Sequence, residues 1–159
     1  MKVLIVYDSI FGNTEKIALA ISNSLGSKEN VETFRVSAIK SEQLVELSLL
    51  IVGSPTRAFR PTKAITNFLK KISSNGLKGV KVAAFDTRIS PADVNSRFLN
   101  ILVKLFGYAA KPIADKLEKK GGELIISPEG FFVKGTEGPL KDGELERAAD
   151  WVKLITKAQ

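Results

Sequence analysis

Short apolar runs alternate along the chain with stretches of helical period. KVLIVY (2–7), VETFRV (31–36), LLIVG (49–53), KVAAF (81–85) and ELIIS (123–127) read as strands. Four of the five lack the in-and-out alternation of a strand with one wet face, as expected when both faces of a parallel sheet are covered. Between them, apolar residues return every third or fourth position: Ile17, Ala20, Ile21 and Leu25, then Ile65, Phe68, Leu69 and Ile72. Ala110, Ile113, Ala114 and Leu117 make a third stripe, and Leu145, Ala148, Ala149, Val152 and Ile155 a fourth. Gly26, Gly76, Gly107 and the pair Gly121-Gly122 stand where helices should stop. SEQLVELS (41–48) suits a further short helix. The rhythm implies an α/β fold, a doubly wound open parallel five-stranded sheet with helices on both faces. No linker, repeat or low-complexity tract divides residues 1–159, so one domain is expected.

The segment SRFLNILVKLF (96–106) departs from this economy. Phe98, Leu99, Ile101, Leu102, Val103, Leu105 and Phe106 leave little polar face, more than a helix covering one side of a sheet needs. Two readings follow: a deeply buried helix, or an exposed apolar surface for self-association or partner docking.

In open α/β sheets, ligands bind beyond the carboxyl ends of the strands, where strand order reverses. That rule selects the loops at 8–14, 54–62 and 86–95. The first, within YDSIFGNTEK, joins a strand to a helix and is rich in small hydrogen-bonding groups. Gly12 lets backbone come close, Asn13 or Thr14 starts the helix, and the first-turn N–H groups with the hydroxyls of Ser9 and Thr14 form a cradle for a phosphate. One residue would suffice as a helix cap, so the concentration points to a ligand. Neither the dinucleotide fingerprint G-x-G-x-x-G nor the P-loop G-x-x-x-x-G-K-[ST] is present.

Composition narrows the chemistry. The 159 residues contain no cysteine and no histidine, which excludes disulfides, thiolate nucleophiles, a Ser-His-Asp triad and the usual zinc sites. Carboxylates, hydroxyls, backbone or a borrowed cofactor must do the work. No apolar stretch is long enough for a membrane span or a signal-peptide core, so a cytoplasmic protein is expected. The net charge of +7 invites a nucleic-acid reading. The lysines, however, are scattered over helix ends and turns, and no nucleic-acid recognition motif occurs, so a solvated surface is expected.

With these residues in view, SIFGNT after the first strand resembles the [ST]-x-[ST]-G-x-T phosphate loop of flavodoxins. GSPTRAFRP after the third strand is similar to their second flavin loop, closest to the wording of WrbA-type quinone reductases. The resemblance spans nearly the whole chain and implies strand order 2-1-3-4-5, the short-chain form, bound FMN and electron transfer between redox partners. An FMN-dependent NAD(P)H:quinone oxidoreductase is the alternative it allows. A receiver domain shares the topology but needs an acceptor Asp where Gly53 stands.

Carried onto this chain, the resemblance gives Ser9, Ile10, Gly12, Asn13 and Thr14 to the phosphate, with Phe11 replacing a hydroxyl residue. Pro55, Thr56, Arg57, Ala58 and Phe59 fall on the loop along the isoalloxazine, and Asp86, Thr87 and Arg88 on the loop at its pyrimidine edge. Arg57 occupies a frequent aromatic position, leaving Phe59 as the expected ring contact, and Ala58 replaces a usual glycine. Flavodoxins tend to be acidic, whereas Arg57, Arg60, Lys63 and Arg88 cluster on these loops. A less negative flavin potential and a preference for acidic redox partners are therefore expected.

Overall fold

The computed structural model describes residues 1–26, 30–93 and 96–157. Among these residues, six strands form one sheet: β1 (Lys2–Tyr7), β2 (Asn30–Arg35), β3 (Leu49–Pro55), β4 (Lys81–Ile89), β5 (Glu123–Leu124) and β6 (Glu129–Val133). The order is β2-β1-β3-β4-β5, all parallel, and β6 continues alongside the far half of β4. The expected fifth strand is thus split. ELIIS supplies only two paired residues, and EGFFV, unassigned from the sequence, pairs with Phe85 through Ile89.

Helices α1 (Asn13–Leu25), α2 (Lys63–Lys71), α3 (Arg97–Phe106), α4 (Ala110–Lys119) and α5 (Glu144–Lys157) complete the chain. Only a short 3-10 turn, Ser41–Leu44, forms within the segment expected to be a helix at 41–48. β1 shows how the sheet is covered. Val3, Ile5 and Tyr7 join a core with Ile17 and Ile21 of α1 and Trp151, Val152 and Ile155 of α5. Leu4 and Val6 point the other way, into a core with Ile65 and Leu69 of α2 and Ile113 and Leu117 of α4. Strand alternation sends successive side chains to opposite faces, and both faces are apolar because both carry helices.

α3 belongs to neither core. None of its residues is buried, and Phe98, Leu105 and Phe106 are 68%, 70% and 62% exposed. The buried-helix reading of 96–106 is therefore excluded. Ser96 caps the helix through the Leu99 N–H, and Gly107 ends it at φ 69°. No helix among the described residues is long and apolar enough to cross a membrane.

Candidate functional site

At the carboxyl ends of β1, β3 and β4, a cleft is lined by Ser9, Ile10, Phe11, Asn13, Thr14, Pro55, Thr56, Arg57, Thr87 and Arg88. Ile89, Val133 and Thr136 close its remaining side. Its first wall is the turn into α1. Gly12 sits at φ 89°, a left-handed conformation that a side chain would strain, and it precedes the helix without a side-chain cap. The Ser9 hydroxyl instead accepts from the Gly12 and Glu15 N–H groups at 3.1 and 3.4 Å. The Ser9 carbonyl is held by Arg35 at 2.6 Å.

Neither Asn13 nor Thr14 caps the helix. The Asn13 amide donates to the Glu137 carbonyl at 3.0 Å, tying α1 to the segment after β6. The Thr14 and Thr87 hydroxyls share a hydrogen bond of 2.8 Å, which locks the start of α1 to β4. The sequence pointed to both residues, but the long-range pairings had no local signal.

The second wall is a tight turn. Arg57 and Arg60 exchange backbone hydrogen bonds of 2.8 and 3.0 Å, and Ala58 and Phe59 between them have φ 46° and 68°. Two positive-φ residues inside such a pair make the I′ pattern, which ordinarily selects Asn-Gly. Here Ala-Phe carries it at a cost of about 1 kcal/mol or more per residue. Thr56 anchors the turn by donating its N–H to the Thr87 carbonyl at 2.9 Å and accepting from the Ala109 N–H at 3.1 Å. Arg57 lies over the Phe11 ring, 5.8 Å from its centroid. Ala58 and Phe59 do not line the cleft, and the Phe59 ring packs on Phe106 of α3 with centroids 6.0 Å apart.

The third wall is strand rather than loop, because β4 runs on to Ile89. Alternation therefore parts the expected trio. Thr87 faces α1, whereas Asp86 points to α4 and is fully buried. Its carboxylate accepts from the Arg88 Nε and Nη2, each at 2.6 Å, and from the Ala110 N–H at 2.8 Å. Burial holds the Asp86 carboxyl above its ordinary value, and the Arg88 contacts and the Ala110 N–H offset only part of that rise. Arg88 also stacks on Tyr108, 3.8 Å from the ring centroid. Asp86 thus holds Arg88 and the start of α4 and does not line the cleft. Arg88 does, and its charge is met by Asp86. Residues 94 and 95 of the 86–95 segment lie outside the described residues.

The residues singled out from the sequence did not include Ile89, although it lies in the selected 86–95 segment and ends β4, nor Val133 and Thr136. The last two line the cleft because β6 extends the sheet and the segment after it folds back toward Asn13. The only hint was the apolar run EGFFV.

A family model for flavodoxins matches residues 5–151. No curated protein matches the chain. Among solved structures, the chain is similar to a flavodoxin from the domain Archaea, at 25% identity and TM-score 0.77 over 99% of each chain. It is also similar to oxidised flavodoxin 1 from Bacillus cereus, at 18% identity and TM-score 0.78 over 99% of this chain and 98% of that one. A flavodoxin, WrbA-like protein from Agrobacterium tumefaciens has the same fold, at 18% identity and TM-score 0.71 over 99% of this chain and 96% of that one. With the strand order, the cleft at the carboxyl ends of the strands and a match over nearly its whole length, the chain belongs to the flavodoxin family, whose cofactor is FMN and whose general work is electron transfer.

Proposed function

We propose that residues 1–159 form one FMN domain that carries electrons between redox proteins in the cytoplasm, with the FMN phosphate held by the loop at 9–14. The observation that carries this reading is the convergence of the Ser9, Thr14, Thr56, Thr87 and Thr136 hydroxyl residues on one small cleft beside the start of α1. The cleft measures about 90 Å³. At about 10–15 Å³ for each water-sized group, that is room for roughly six to nine such groups, which suits a phosphate and part of a polyol chain but not a three-ring system. The ring therefore belongs at the mouth, where Ile10, Phe11 and Pro55 supply apolar surface and Arg57 a cation.

In this reading Ser9 and Thr14, with the first-turn N–H groups, hold the phosphate, aided by the positive end of the helix dipole. Asn13 keeps the loop against the segment after β6, and Thr87 orients Thr14. Thr56 fixes the turn that presents Arg57. Bound FMN supplies the exchange of one or two electrons, and the chain sets its solvation and its neighbours.

The quinone-reductase reading rests on the S-P-T-R wording at 54–57. Against it, no carboxylate, lysine or tyrosine among the described residues lines the cleft to deliver protons to a quinone. Mixing the FMN-loaded chain with NAD(P)H and a benzoquinone separates the two. The carrier reading predicts no sustained nucleotide oxidation, together with full flavin bleaching by dithionite. Steady turnover would establish the reductase instead.

A further inference from the structure

Beside the cleft, sharing Ile10 and Arg57 with it, a wider groove of about 920 Å³ runs between the turn at 57–60, α2 and α4. Its walls carry Arg57, Arg60, Lys63, Lys70 and Lys116, and no carboxylate among the described residues. None of these five cations forms an ion pair with a described residue, whereas Arg35, Arg88 and Arg147 each meet a carboxylate. The start of α2, capped by the Thr62 hydroxyl, turns its positive end to the same place. Five unmatched positive charges around one concavity repel one another, and an anionic surface set into it removes that repulsion.

We propose that this groove is the docking site for an acidic redox protein; the proposal rests on the electron-carrier reading and names the partner's chemistry. The cations are spread too widely for one phosphate. Lys63 and Lys70 stand seven residues apart on α2, about 10 Å along the axis at 1.5 Å per residue, and Lys116 lies across on α4. The turn that supplies Arg57 and Arg60 also meets the exposed apolar end of α3, through Phe59 on Phe106. A partner seated over that turn finds apolar surface edged by charge, the make-up of a protein interface. A second copy of the chain, at +7, would bring like charge to like.

The test uses the FMN-loaded chain and an acidic plant-type [2Fe–2S] ferredoxin as probe, with the dissociation constant measured by calorimetry at about 20 mM and about 200 mM salt. Two triple variants are compared: Lys63→Gln/Lys70→Gln/Lys116→Gln in the groove, and Lys78→Gln/Lys153→Gln/Lys157→Gln away from it, which removes the same charge. The expected result is binding that weakens with salt, a loss of roughly tenfold or more at low salt for the groove variant with a flatter salt dependence, and a much smaller loss for the remote variant. The proposal is overturned if the ferredoxin fails to bind at low salt, if the two variants behave alike, if NADPH displaces the ferredoxin by binding the groove, or if sedimentation shows a dimer that the groove variant abolishes. Dithionite reduction of the same samples keeps the two readings apart. A flavin that reduces normally beside a groove that makes no difference would remove the docking site and leave the carrier.

Discussion

At the scale of single residues, the roles that were legible are those that depend on local chain chemistry. Gly12 was marked by the need for close backbone at a strand-to-helix turn, and it holds the positive φ that this turn requires. Ser9 was marked as a hydroxyl near the helix start, and it serves two N–H groups there. Roles that depend on the register of another element were not legible. Nothing near Thr14 announces Thr87, and the separation of Asp86 from Thr87 required knowing that β4 continues past Phe85. Asp86 carries the clearest consequence. Asp86→Ala leaves the Arg88 guanidinium without its carboxylate and the Ala110 N–H without an acceptor. Breaking such a pair from one side costs about 3–5 kcal/mol, to be read as a lower midpoint in denaturant unfolding. A change below about 1 kcal/mol would mean that Arg88 finds solvent at no cost.

Among the elements, periodicity found the buried stripes of four of the five helices and the cores of the strands, because those signals come from burial against the sheet, but Leu145, counted in the α5 stripe, is 42% exposed and Trp151 is buried on that face instead. It failed where pairing is short or one-sided. β5 contributes two residues, β6 continues its line after a break, and the 3-10 turn at Ser41–Leu44 buries none of its residues. α3 was legible as a helix, but its surroundings were not, since an apolar face looks the same whether a core or a partner covers it. Its exposure makes a stability prediction. Leu105→Glu should shift unfolding by no more than about 0.5 kcal/mol. Ile113→Glu on α4, fully buried in the helix-covered core, should cost about 4 kcal/mol or more, because the charge enters an apolar site unpaired. Thermal melts of the two variants give the comparison directly.

α5 adds a pH dependence. Burial raises the Glu144 carboxyl, but the Arg147 hydrogen bonds, the Phe132 N–H and the charges of Arg147 and Lys141 outweigh it and hold the group below its ordinary value. A carboxyl depressed in the folded state contributes stability that is present above its unfolded pKa and is lost as pH falls through the folded one. The wild type should therefore lose stability below about pH 4.5 more steeply than Glu144→Gln. Equal slopes in denaturant midpoints measured from pH 6 to pH 3 would show that Glu144 is not linked to folding.

For the whole molecule, the sheet order, the layers and the end of the sheet that carries the cleft were all implied by the alternation of apolar runs and helical stripes, together with the family resemblance. The distribution of charge was implied only in part. Arg57, Arg60, Lys63 and Arg88 stood together on the loops at 54–62 and 86–95, but nothing in the sequence brought Lys70 and Lys116 to them. Folding gathers Arg57, Arg60, Lys63, Lys70 and Lys116 about one groove, and it pairs Arg88 with Asp86 where Arg88 lines the cleft. Of the cations that line the cleft, Arg57, over the Phe11 ring, has no carboxylate partner among the described residues, so the proposed cationic influence on a bound flavin rests chiefly on it.

The central claim is that the loop at 9–14 holds the phosphate of FMN, and calorimetric titration of the flavin-free chain with FMN and with riboflavin tests it most directly. Hydrogen bonds to a charged group are worth about 1.5–3 kcal/mol each, so the phosphate should make FMN roughly a hundredfold or more tighter than riboflavin. Ser9→Ala should erode that ratio roughly tenfold while leaving riboflavin affinity unchanged. Equal affinities for FMN and riboflavin in the wild type would contradict the account.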